Sequence, residues 1–215
     1  MIGLDELAAL NKAQRENWLP IVPTLSPASG HIDPEHAFAI VARTGNGDVV
    51  AAHAARCFDW TDTNFVDELT SLRLFYQSPA TSKQPNETCS SSASFARELT
   101  GRVVYSGAAW IHPNYRGRHL TAIVPRVAKA LALTKWNPDF IASLMTSTVF
   151  NAGFFERFGY QKIDWEVVWS DSPITSGALK FAIVWMQMPH LIEDLTGYIE
   201  SASQINGRVR ERNAS

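Results

Sequence analysis

Residues 102–121, Arg-Val-Val-Tyr-Ser-Gly-Ala-Ala-Trp-Ile-His-Pro-Asn-Tyr-Arg-Gly-Arg-His-Leu-Thr, constrain the chain more than any other stretch. They read as an apolar strand over 103–112, a proline-marked turn, a short basic glycine loop, and the start of a helix running from Leu120 towards Leu133. A helix start offers unpaired backbone N–H groups and the positive end of a dipole. A loop that carries Arg116 and Arg118 into one therefore suits a phosphate or pyrophosphate. The strand brings a second ligand-facing segment to the same place.

The flanking sequence supplies the elements that such a unit needs. Residues 36–43 and 48–58 are β-compatible runs joined by Thr44-Gly-Asn-Gly47, a hairpin signal. Leu4, Leu7, Ala8, Leu10 and Trp18 fall near helical spacing, and Pro20 and Pro23 stop any continuation. Residues 19–34 then read as a loop crossing the surface or covering a cleft. Downstream of the central strand, Ile123, Val124, Val127, Ala130 and Leu131 give the helix an apolar face, with Pro125 tolerated in roughly its first turn. Residues 140–145 suit a buried parallel strand, 152–158 a brief helix ended by Gly159, 161–169 and 179–188 two further strands, and 189–203 a last helix. The expected class is α/β, a mixed central sheet of about six to seven strands flanked by helices. One domain spans 1–215, with 59–101 a helix-plus-loop insertion and 204–215 a flexible polar tail.

Composition narrows the function classes. With 46% hydrophobic and 19% charged residues and a net charge of -2, the chain reads as soluble and globular, with no global basic footprint for nucleic acid. Cys57 and Cys89 are the two cysteines, and no Cys/His cluster has metal-ligand spacing, so free thiols and no metal are expected. The N-terminus lacks a basic leader, and no apolar run reaches the ~18 residues of a membrane helix. A cytoplasmic protein without a membrane partner is the expectation.

The strand followed by Pro-x-Tyr-Arg-Gly-Arg and a helix resembles the coenzyme A pyrophosphate loop of the GNAT acyltransferase superfamily, usually Arg/Gln-x-x-Gly-x-Gly/Ala. Its six positions are Arg116, Gly117, Arg118, His119, Leu120 and Thr121, so His119 and Thr121 stand where small residues are usual. A second segment, Asn151-Ala-Gly-Phe-Phe-Glu-Arg-Phe-Gly-Tyr160, is similar to the family's short helix ending in Tyr-Glu-Lys-Leu-Gly-Phe. The resemblance covers about residues 103–169. It implies a GNAT-like fold and transfer of an acetyl or other acyl group from acyl-CoA to an amine of a small molecule or peptide. No metal enters, and homodimerisation stays open.

By resemblance, the backbone of Trp110, Ile111 and His112 contacts the pantetheine, the 116–121 loop cradles the pyrophosphate, and Thr148 or Asn151 bonds the pantetheine amides. The small run Gly107-Ala-Ala leaves room for a bulge, and a strand N–H near Ala109 or Trp110 is aimed at the thioester oxygen. In many family members a tyrosine in the second segment protonates the leaving thiolate, and here Phe155 occupies that place, packed against the pantetheine arm. Three readings follow: another residue gives the proton, the thiolate leaves without one, or the chain is an acyl-CoA-binding or regulatory module that transfers nothing. A donor on a carrier protein is a further variant. Tyr105 lies near where some members carry a base, with Tyr115, His112, His53 and Glu166 as other polar candidates, while Ser106 has no partnered His and Asp at readable spacing. The acceptor is expected between the N-terminal segments and the last strands, lined by residues 19–34 and 59–101, with Trp18, Trp60, Trp165 and Trp169 as a candidate aromatic wall.

Overall fold

The computed structural model describes residues 1–175 and 177–213. Seven strands form one sheet: β1 (Ala37–Arg43), β2 (Val49–Trp60), β3 (Thr88–Ser91), β4 (Gly101–Ile111), β5 (Phe140–Thr146), β6 (Lys162–Ser170) and β7 (Ala178–Gln187). Their spatial order is β1-β2-β4-β5-β7-β6-β3. Every neighbouring pair is antiparallel except β4 and β5, which run parallel at the centre. The helices are α1 (Leu4–Ala13), α2 (Phe65–Thr70), α3 (Pro79–Ser82), α4 (Leu120–Trp136), α5 (Ser147–Asn151), α6 (Phe154–Arg157) and α7 (Met188–Asn213).

Side-chain alternation along the strands builds two cores, one on each face of the sheet. On β4, Val103 and Tyr105 join Leu7, Leu25, Phe65, Leu69, Phe75 and Trp169 on one face. Val104, between them, points the other way and packs with Phe38, Ile141 and the α4 row Ala128, Ala132 and Trp136. That row at i, i+4, i+8 is the buried stripe of α4. Both cysteines are buried and free, and burial pushes their thiols up, to about 11 at Cys57 and about 12 at Cys89.

The structure departs from the sequence reading at several places. The 59–101 segment is more than a helix and a loop, because residues 88–91 form β3, which pairs with β6 at the outer edge of the sheet. Thr-Cys-Ser-Ser is too short and polar to show a hydrophobic period, and only its pairing partner makes it a strand. Helix α2 ends at Thr70 rather than near Tyr76; Leu72, at φ +64, turns the chain back so that Leu74 and Phe75 reach the core. Pro125 sits beyond the first turn of α4, so its missing N–H deprives the Thr121 carbonyl of a helical partner. Helix α7 continues to Asn213, past the boundary expected near Ser203, and residues 214–215 of the expected tail lie outside the described residues. Among the described residues, no helix is long and apolar enough to cross a membrane.

Candidate active site

The site begins where the two central strands part. β4 and β5 pair at Val103 with Phe140, Val104 with Ile141 and Tyr105 with Ala142. Beyond that, β5 follows β7, to which it stays paired as far as Thr146, while β4 follows β2 as far as Ile111. The sheet therefore opens into a wedge whose apex lies at Ser106 and Ser143. The divergence is helped by a bulge: Ala52 faces Trp110 but Ala54 faces Gly107, so β4 carries one extra residue there. Ala108 takes the positive φ of +53. Gly107 keeps this place uncrowded, since a Cβ there would lie 3.0 Å from the Tyr105 ring and 3.2 Å from Leu25 and would push those side chains aside.

The mouth of the wedge is the basic loop. After the turn at Pro113–Tyr115, Gly117 (φ +76) and His119 (φ +60) bend the chain into α4. His119 keeps the left-handed backbone that a glycine would adopt freely at its position. Among the described residues, the N–H groups of Gly117, Arg118, His119, Leu120 and Thr121 have no protein acceptor, while those of Ala122 and Ile123 bond to the His119 carbonyl. Those open N–H groups, at the start of a helix of 17 residues, form an anion cradle. Arg116 lies alongside, its Nε 3.5 Å from the Ile111 carbonyl, and the Arg118 guanidinium stacks 4.8 Å from the Tyr115 ring centre.

The floor at the apex is polar and buried. His53 Nε2 lies 2.7 Å from Ser106 Oγ, and His53 Nδ1 has no partner. Burial, with the nearby Lys129 charge, drives the His53 imidazole down to about 3, so the ring is neutral at physiological pH. The Tyr160 hydroxyl is buried close to the hydroxyls of Ser106 and Ser143 without completing a hydrogen bond to either. Burial pushes its pKa up to about 12 against the opposing pull of those two groups. Tyr105 is also raised well above the usual tyrosine range by burial, with the Leu144 N–H opposing. Lys129 approaches from α4: it donates to the Phe158 carbonyl, and its Nζ sits 3.8 Å from the centre of the Tyr160 ring. Burial pulls its ammonium down to about 7, opposed by Asp194 and reinforced by Arg126.

Wedge, loop and floor line one cavity of about 950 Å³. One wall is the segment 17–22, held against β4 by the Trp18–Trp110 stack (4.8 Å between ring centres) and by Trp110 Nε1 donating to the Asn17 carbonyl at 3.1 Å. Of the residues expected from the sequence, Tyr105, Trp110, Ile111, Arg116, Gly117, His119, Leu120 and Thr121 line this cavity. His112, Arg118, Thr148, Asn151 and Phe155 do not. His112 turns its Nδ1 to the Asn114 N–H and caps the following turn. In the second segment, the helix expected over 152–158 is the shorter α6, and a turn of helix not expected from the sequence, α5, precedes it, the two separated by Gly153 at φ +74. Val149 of α5, Phe154 and Arg157 of α6 and the following Phe158 line the cavity, whereas Phe155 packs with Phe150, Met145 and Tyr160.

The 59–101 segment also misses the site: none of its residues lines the cavity, and it lies along β3 and β6 on the far side. Of the candidate aromatic wall only Trp18 is in place. Trp169 is stacked on Phe75 in the core and Trp60 is buried against Phe65. Sequence reasoning passed over Ser143 and Lys129, whose only local signal is a polar residue inside an apolar run, and Tyr160, which carries no local signal beyond the turn at Gly159. Among the described residues, no cluster of His, Cys, Asp or Glu could hold a metal ion.

No family profile and no curated protein matches the chain. Solved structures do. Mutant forms of the spermidine/spermine N-acetyltransferase SpeG of Vibrio cholerae superpose with a TM-score of 0.54 at 9% identity, covering 89% of this chain and 94% of that one. A polyamine N-acetyltransferase of Drosophila melanogaster, an enzyme that forms N-acetylagmatine, superposes with a TM-score of 0.52 at 16% identity, covering 87% of this chain and 98% of that one.

Proposed function

We propose that this chain, which has the fold of the GNAT acetyltransferases, moves an acyl group from coenzyme A to an amine. The observation that carries the reading is the wedge between β4 and β5 opening directly onto an anion cradle, within one cavity. An extended pantetheine fits the wedge as a substitute strand, bonding to the β4 backbone that β5 leaves unpaired. The pyrophosphate then rests on the N–H groups of residues 117–121, with Arg116 beside it. The thioester reaches the apex, where the bulged backbone near Ala109 offers a donor to the carbonyl oxygen as negative charge develops. Proximity supplies much of the rate, because neutral His53 and protonated Tyr105 are poor bases.

The acceptor enters beside Trp18 and residues 19–22. Among the described residues no carboxylate lines the cavity, whose cations are Arg116 and Arg157. A polycation therefore finds no counter-charge there, and an amine carried on an apolar body suits the wall better. A second reading, an acyl-CoA-binding module without transfer, is favoured by one observation: Phe155 offers no proton donor and lies outside the cavity. Release of free thiol from acetyl-CoA in the presence of apolar primary amines separates the two.

The direct test is calorimetric titration with acetyl-CoA and longer acyl-CoAs. Arg116→Ala is expected to weaken binding about 10–100-fold by removing a charged partner of the pyrophosphate. Equal affinity in the two proteins, or no binding to the parent, would remove the loop from the cofactor site. His119→Gly should keep the affinity and leave stability unchanged or raised by up to about 1 kcal/mol, since glycine adopts the left-handed backbone at position 119 without strain. Urea unfolding of the two proteins measures the difference.

A further inference from the structure

We infer that Tyr160 is the proton donor to the departing thiolate, taking the part that Phe155 cannot play. This rests on the acyl-transfer reading above. At the apex, Ser106 and Ser143 are the first residues past the last β4–β5 pair, one on each strand, so the inner end of any ligand lying in the wedge stops between them. Tyr160 lines the cavity, and its hydroxyl, beside both serines, is buried with its hydrogen-bonding capacity unmet. A native interior rarely leaves a phenol unsatisfied, and one placed at the closed end of a ligand channel has a ready partner in the ligand's terminal atoms.

The placement is fixed from three sides. Gly159, at φ +75, makes the turn before Tyr160, and a Cβ there would lie 2.5 Å from the Asp194 carboxylate. The Tyr160 N–H bonds to the Phe155 carbonyl at 3.1 Å. The ring is held under the Lys129 ammonium. The neighbouring pair completes a proton path. With His53 Nδ1 unpartnered, the tautomer protonated on Nε2 leaves no donor unmet, so we assign Nε2–H as donating to Ser106 Oγ. The Ser106 proton is then free to point at Tyr160 or at the incoming amine.

The step balances without any further reactant. The amine nitrogen attacks the acyl carbon, the C–N bond forms, and the C–S bond breaks with its electron pair left on sulfur. Tyr160 gives its Oη proton to that sulfur, producing the free thiol. The phenolate regains a proton from Ser106, which takes the proton shed by the amine nitrogen. Tyr160 remains protonated throughout the physiological range, as a donor must.

The test uses Tyr160→Phe with two donors, acetyl-CoA and its selenium analogue, whose far more acidic selenol leaves without needing a proton. Thiol or selenol release is followed with an apolar primary amine such as phenethylamine. With acetyl-CoA, kcat is expected to fall about 100-fold while KM and the calorimetric Kd for acetyl-CoA stay within about twofold. With the selenium donor the loss should shrink to less than about threefold. The melting temperature should be unchanged or higher, since the lost hydroxyl has no protein partner. Equal losses with both donors, or a variant as fast as the parent with acetyl-CoA, would overturn the assignment. A parent protein that binds acetyl-CoA but turns over no amine would instead refute the transfer reading, and this inference with it, before any variant is compared.

Discussion

Replacing Asp194 with alanine is expected to destabilise the protein by roughly 3 kcal/mol, because it leaves a buried cation without its counter-charge. Asp194, on α7, receives two bonds from Arg126 on α4, at 3.0 Å from Nε and 2.7 Å from Nη2. Both side chains are largely buried, at 11% and 13% exposure. Arg126 also donates to the carbonyls of Ala122 and Arg157, so one arginine ties α4 to the end of α6, and its carboxylate partner ties both to α7. The junction contains a second cation, Lys129, whose charge Asp194 supports and Arg126 opposes. The loss therefore depends on pH, with a definite sign. Burial pulls the ammonium of Lys129 down to about 7 in the folded chain from its ordinary 10.5, so the unfolded state holds its proton more tightly and stability rises with pH across that window. Without Asp194 the folded value drops further. The deficit of Asp194→Ala should therefore grow as pH falls below about 7, and stay constant between about 7 and 10. Urea unfolding at pH 6 and pH 8.5 measures both parts. The double variant Arg126→Met, Asp194→Leu should recover most of the loss, which separates the cost of the orphaned charge from the value of the pair.

What the sequence made legible was local. The Asn46-Gly47 turn, the run from β4 through the basic loop into α4, and the small residues at the bulge each carry their signal within a few positions, through backbone preferences that act at the residue itself. Non-local pairing decided the rest. Nothing in Thr-Cys-Ser-Ser marks it as a strand until β6 lies beside it, so the destination of the 59–101 segment, at the far edge of the sheet, was hidden. The second segment misled for a different reason. The resemblance of this segment to the family motif directs Phe155 to the ligand, but α6, which starts after Gly153 at φ +74, presents Phe154 and Arg157 to the cavity and packs Phe155 behind it. The apex cluster shows the same limit: His53 and Ser106 are 53 residues apart in the chain, and only the β2–β4 register with its bulge brings them to 2.7 Å.

Glu87→Ala should cost about 3–5 kcal/mol while leaving acyl-CoA affinity within about twofold, and this pairing of outcomes defines what the 59–101 segment does. Glu87 is fully buried, and the groups bonded to its carboxylate are donors: Tyr76 Oη at 2.9 and 3.0 Å, Trp169 Nε1 at 2.8 Å, and the Gln84 N–H at 2.7 Å. Removing the acceptor strands three donors in the interior at once, each worth roughly 1–3 kcal/mol if left dry, with water entering the vacated space to recover part of the total. Of the contacts it loses, those with Tyr76 and Gln84 hold the segment together, and the one with Trp169 joins it to β6. Glu87→Gln keeps an acceptor oxygen but turns an NH₂ group toward other donors, so it should fall about midway between parent and alanine. Chemical denaturation gives the stability of the three proteins, and calorimetry at a temperature where all are folded gives their affinity for acetyl-CoA. Since no residue of the segment lines the cavity, a large stability loss with unchanged binding identifies it as a brace on the β6 edge. A loss of affinity in the folded variant would instead mean that the segment holds β6 and β7, and through them β5, at the angle that opens the wedge.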